Sequence, residues 1–248
     1  MQKGTEKSAI RYFKETISIV VIFFAFLANV NAGSGTLMDK HIKRIRGLIM
    51  KIVEKDFECR VKIEASELKV FYTIKNRTGD DLGIFNCIAT TNLDGTINYS
   101  PNNVYVDLEN SILLVRKMIL PIPEGLNVAE RVVPFVTVVR DGEEFNEAFS
   151  VAIPVKVCNP YKRALIAAKS PGAEVVPIEK KMATSIRVYI GVCSLGSDIK
   201  IYPVSRVYND IFRIWPPGVC IDRQVVLSKK FDLEKPILVL DYGEFKVE

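Results

Sequence analysis

The chain has 248 residues, 48% of them hydrophobic and 25% charged, which excludes wholesale disorder and leaves room for one large domain or two small ones. Its 34 Lys and Arg stand against 29 Asp and Glu, a formal net charge of +5, too even a balance for nucleic acid to be the main partner. The single histidine, His41, argues against Ser/His/Asp or Cys/His catalysis and against histidine-ligated zinc.

Residues 1–32 read as a secretory signal peptide. Lys3, Lys7, Arg11 and Lys14 form a basic lead, and residues 17–27 form an apolar run broken only by Ser18. Val30 and Ala32 place small residues before a cleavage point at Gly33. The run falls short of the roughly 20 residues a membrane span needs, so cleavage is the expectation and an uncleaved N-terminal anchor the alternative. Neither a cysteine for lipid attachment nor a second spanning stretch follows it closely. The body is therefore expected outside the cytoplasm, periplasmic or secreted.

Within residues 33–57 the spacing predicts an amphipathic helix over 37–57. Met38, Ile42, Ile45, Ile49 and Ile52 recur at steps of four and three, while Lys40, His41, Lys43, Arg44, Arg46 and Lys51 take the other sides. The stripe is expected to pack on the body of the fold, with weak membrane-surface contact through the basic side as the alternative.

From Cys59 the period changes to two. Val61, Ile63 and Ala65 alternate with charged residues, and Leu68, Val70, Tyr72 and Ile74 alternate with Glu67, Lys69, Thr73 and Lys75. Turn chemistry follows at residues 76–81, where Asn76-Arg77-Thr78 forms a glycosylation sequon expected to be exposed. Further strands are predicted over 83–91, 104–108, 111–118, 131–139 and, after an Asp141-Gly142 turn, 144–157. Residues 158–185 read as a long connection with one helical turn. Strands resume over 186–195, 199–207, 219–227 and 236–241, with a stiff turn at residues 215–218. Short turns without intervening helical periods predict a mainly β, antiparallel sandwich spanning residues 58–248. The strands after residue 185 either complete it or form a small second sheet.

The succession of residues 68–76 (LKVFYTIKN), 121–125 (PIPEG) and 141–149 (DGEEFNEAF) resembles immunoglobulin-like β-sandwich domains of exported bacterial proteins, with proteinase-inhibitor sandwiches as a weaker relative. The resemblance covers residues 59–157; it implies a fold and transfers no site.

Five cysteines lie far apart without a CxxC pair. Alternation places Cys193 with Arg187, and Cys220 with Asp222 and Gln224, on outward faces, so a Cys193–Cys220 disulfide on the outer surface is the candidate pairing; Cys87 reads as a small buried residue. Asp80, Asp81, Asp94, Asp107, Glu109, Glu143 and Glu144 are the clustered acids available for carboxylate hydrolysis or calcium, but all sit at turns or on alternating strands. No phosphate-binding glycine loop is present, and no metal or cofactor is expected. Tyr202, Tyr208, Phe212 and Trp215 gather in a loop-rich stretch, with Tyr208, Phe212 and Trp215 as candidate partner-binding residues and the plug of a sandwich end as the alternative. The expectation is an exported, non-catalytic protein that binds another envelope or extracellular protein. A carboxylate-type hydrolase, or a proteinase inhibitor presenting residues 92–103, is the alternative.

Overall fold

The period-two stretch after Cys59 becomes a hairpin of β1 (Phe57–Glu64) and β2 (Glu67–Lys75), turning at Ala65 and Ser66. The computed structural model describes residues 54–91, 97–128, 131–169, 178–204 and 210–242. The predicted signal peptide and most of the predicted helix, with His41, lie outside the described residues. Strand β2 buries Leu68, Val70, Tyr72 and Ile74 on one face, each aliphatic side chain contributing roughly 1.5–3 kcal/mol. Along its other edge runs β9 (Glu144–Ala152), in unbroken antiparallel register from Glu67 opposite Ala152 to Lys75 opposite Glu144. These three strands form a small sheet in the order β1-β2-β9.

A larger sheet is built on two long antiparallel strands, β11 (Ile178–Ser194) and β14 (Val225–Tyr242). The opposite edge of β11 is shared. β7 (Ile112–Lys117) runs parallel along residues 185–190, and β3 (Leu82–Cys87) antiparallel along 192–194. Beyond β3 come β8 (Phe135–Val139), β13 (Phe212–Trp215) and β12 (Lys200–Pro203). Strand β6 (Tyr105–Glu109) forms a hairpin with β7, and the two-residue β10 (Val155–Lys156) pairs parallel with β14. A separate ribbon joins β4 (Ala89–Thr91) to β5 (Ile97–Tyr99). The protein is thus mainly β, and strands from both halves of the chain share one sheet.

Three local expectations are corrected. First, the sheet is mixed rather than wholly antiparallel. A parallel neighbour requires a long crossover, and the chain between β7 and β11 supplies one, including a full helix, α1 (Pro160–Lys169), where a single turn was expected. Its start is specified locally: Asn159 Oδ1 accepts the amides of Tyr161 (3.0 Å) and Lys162 (3.3 Å), and Pro160 occupies the first turn. Second, residues 217–223 form a helix, α2 (Pro217–Arg223), instead of the start of a strand. Pro216-Pro217 suits a helical first turn and outweighs the short alternation behind it. Third, residues 236–241 are the end of β14 rather than a separate strand. Opposite Thr184 the register jumps from Asp232 to Ile237, so Pro236 breaks no ladder bond.

Asn76 also departs from expectation. It is fully buried at the end of β2, where its Nδ2 donates to the carbonyls of Asp80 and Val139, both at 2.8 Å. Its Oδ1 accepts from the Thr78 amide and hydroxyl. The residue that starts this turn is also its hydrogen-bond hub, so the sequon nitrogen is not exposed. Among the described residues no helix is long and apolar enough to cross a membrane.

Candidate binding platform

Register determines which side chains of β12 and β13 share a face. Lys200 lies opposite Trp215, Ile201 opposite Ile214, Tyr202 opposite Arg213 and Pro203 opposite Phe212. Directly opposed residues point the same way, so Ile214 and Phe212 turn inward onto a core of Phe85, Ile119, Val136, Cys193, Ile199 and Cys220. Lys200, Trp215, Tyr202 and Arg213 turn outward. Trp215 is 56% exposed and Tyr202 48% exposed, so this face is not the plug of a sandwich end. Tyr202, Arg213 and Trp215, with Tyr99, Pro203 and Val204, line a groove of about 540 Å³.

The guanidinium of Arg213 sits 5.7 Å from the Phe135 ring centroid, and that ring meets Tyr99 at 5.3 Å in a tilted arrangement. This stack orients the arginine without neutralising it. Among the described residues neither Arg213 nor Lys200 is paired with a carboxylate. β12 is also the terminal strand of the large sheet, leaving its outer backbone edge without a strand partner among the described residues. Among the described residues the groove therefore offers aromatic surface, positive charge without a carboxylate partner and a sheet edge together.

No protein-family model, curated protein or solved structure matches the chain.

Of the three residues expected to bind a partner, Trp215 is on the platform, Phe212 is half-buried against the core, and Tyr208 lies outside the described residues. Arg213 and Tyr99 were missed. Arg213 is legible once 212–215 is read as a strand, because it alternates with Phe212 and Ile214. Tyr99 comes from a distant ribbon, and nothing local marks it.

Cys193 and Cys220 lie within hydrogen-bond reach of one another, both as free thiols, yet in the interior rather than on the outer surface. The correction follows from α2: as a helical residue, Cys220 turns inward onto the core. Cys87 is buried, as its neighbours in register predict.

Of the seven clustered acids, five engage a partner through their side chains among the described residues. Asp107 meets Lys162 at 2.7 Å, Glu109 meets Arg116 at 3.0 Å, and Glu144 meets Lys75 at 3.2 Å. Glu143 accepts the Arg140 amide and Asp80 accepts the Ser194 hydroxyl, whereas Asp94 lies outside the described residues. Lys162 also meets Asp241 at 2.8 Å, and so separates the charges of Asp107 and Asp241. Among the described residues no three His, Cys, Asp or Glu side chains gather as a metal site. Of the segment considered for an inhibitor loop, residues 97–99 belong to the β4–β5 ribbon and 92–96 lie outside the described residues.

A buried ion pair joins the two sheets. Lys117 of β7 has no solvent contact, and its ammonium meets Glu147 of β9 at 2.7 Å. The same carboxylate accepts the Tyr72 hydroxyl at 2.6 Å and the Asn86 amide at 3.1 Å, while the ammonium lies 4.6 Å from the Phe149 ring centroid. Burial pushes Lys117 below its ordinary value, against the pull of Glu147, and pushes the Tyr72 hydroxyl well up. The signal was present in the sequence: Glu147 interrupts the apolar face of Phe145, Phe149 and Val151.

Proposed function

We propose that this is an exported, non-catalytic binding protein whose partner is another envelope or extracellular protein, held at the outward face of β12 and β13. The observation that carries the reading is Trp215, more than half exposed beside Tyr202 and beside Arg213, which has no carboxylate partner among the described residues. Exposed tryptophan, tyrosine and arginine on a rigid strand pair are the residue types that dominate binding energy at protein interfaces. The open edge of β12 suits an extended partner segment adding to the sheet, with acidic side chains reaching Arg213 and Lys200. The Lys117–Glu147 contact supports reading the two sheets as faces of an immunoglobulin-like sandwich, with the platform at one end of the larger face. Export rests on the basic, apolar and small-residue order of residues 1–32.

The test is capture from the exported fraction with wild type, Trp215→Ala, Arg213→Ala and a Glu234→Ala control on another strand. A partner held by wild type and the control is expected to weaken about 30-fold or more on Trp215→Ala, as loss of a hot-spot residue worth about 2 kcal/mol implies. Undiminished capture by Trp215→Ala refutes the platform, and absence of the protein from the exported fraction refutes export.

A further inference from the structure

The thiols of Cys193 and Cys220 stand apart from the other three. Cys193 is the penultimate residue of β11 and Cys220 sits on α2, and both are sealed in one apolar cluster with Phe85, Ile119, Val136, Ile199 and Ile214. They lie within hydrogen-bond reach of one another across an element boundary, where a covalent bond would tie helix to strand. Arg223, one turn beyond Cys220, is held by two hydrogen bonds to Asp198, at 2.9 and 2.6 Å.

We infer that Cys193 and Cys220 are a disulfide site, oxidised as the chain folds in the presence of a disulfide donor, and that the bond closes the segment carrying β12 and β13. This goes beyond the binding reading and does not depend on it. In the folded, reduced chain the hydrogen bond from Cys193, with Arg223 nearby, lowers the Cys220 thiol below the ordinary value, and Cys193 is raised correspondingly. Burial pushes Cys59 up to about 12 and Cys87 up to about 11, and raises Cys158 as well.

The donor is a small-molecule or protein disulfide. With Cys220 attacking first, its thiolate displaces one donor sulfur, forming a mixed disulfide and releasing one thiolate; the reverse order gives the same products. Cys193 then loses its proton to solvent and displaces the second thiolate from the Cys220 sulfur. Two protein thiols are oxidised, and one donor disulfide is reduced to two thiols. Because both sulfurs are sealed in the native fold, the exchange precedes the seating of α2, and the finished bond is shielded from reductants.

The experiment is refolding of the full chain from urea in a glutathione/glutathione disulfide buffer. Alkylation under denaturing conditions and a non-reduced peptide map follow. Expected are a mass two hydrogens lower than that of the reduced chain before alkylation and, after it, a 193–220 linked peptide with Cys59, Cys87 and Cys158 alkylated. A Cys158→Ser variant, which removes the one exposed thiol and with it intermolecular exchange, is expected to give the same link. The link is further expected to resist dithiothreitol until denaturant is added. Alkylation of all five cysteines, a map joining either residue to a different cysteine, or ready reduction of the native protein overturns the inference.

Discussion

Replacing Glu147 by leucine removes the counter-charge from an ammonium with no solvent contact. Glu147 meets Lys117 at 2.7 Å, and the substitution also strips the acceptor used by Tyr72 and Asn86. Breaking a buried pair from one side costs about 3–5 kcal/mol, because the remaining charge keeps its desolvation penalty and loses its compensation. Against a total stability of about 5–15 kcal/mol for a globular domain, that is a large fraction. It raises the unfolded-to-folded ratio by roughly two to three and a half powers of ten. The double variant Lys117→Met with Glu147→Leu removes both desolvation penalties together with the attraction, and is expected to recover at least about 2 kcal/mol of the loss. Urea unfolding followed by far-UV circular dichroism at neutral pH measures all three proteins. The reasoning is refuted if Glu147→Leu costs less than about 1 kcal/mol, or if the double variant is as unstable as Glu147→Leu alone.

Two further outcomes follow from other buried groups. Burial pushes the Asp241 carboxyl up, but hydrogen bonds from Lys162 and Lys181 outweigh it and hold the group below its ordinary 3.8. A carboxyl lower in the folded than in the unfolded chain stabilises above its unfolded value and loses that contribution as pH falls through the folded one. Wild type should therefore lose more stability than Asp241→Asn below about pH 4, and parallel acid-unfolding curves would contradict this. Gly191→Ala should cost about 1–3 kcal/mol by overpacking. A Cβ there would fall 2.5 Å from Gln224 Oε1 and 2.8 Å from Met118 Cβ, disturbing the Gln224 side chain that bonds both backbone groups of Ile119. An unchanged thermal midpoint would show that the site has room.

The hairpin of β1 and β2 was legible because alternation at Leu68, Val70, Tyr72 and Ile74 records one buried face, a local property of a strand. The same reasoning exposes why α2 was misread. Cys220, Asp222 and Gln224 also alternate, but over too few residues to outweigh Pro216-Pro217, which favours a helical start. Asn76 shows a related limit: its turn was readable, whereas its burial depends on Val139, a residue on another strand. On the platform, Trp215 was legible as an aromatic beside a stiff turn. Its neighbours Tyr99 and Phe135 were not, because they arrive from separate elements.

By itself, then, the order of side chains determined that the body is mainly β, where about half of the strands begin and that Cys87 is interior, because each follows from short-range periodicity and turn chemistry. Only the tertiary structure decided that β7 lies parallel beside β11, that Lys117 meets Glu147 across two sheets, that Cys193 and Cys220 meet inside, and that Trp215 and Arg213 face outward over Tyr99. These are encounters between residues far apart along the chain. Their energies depend on burial and on partners, and no local window of sequence contains either.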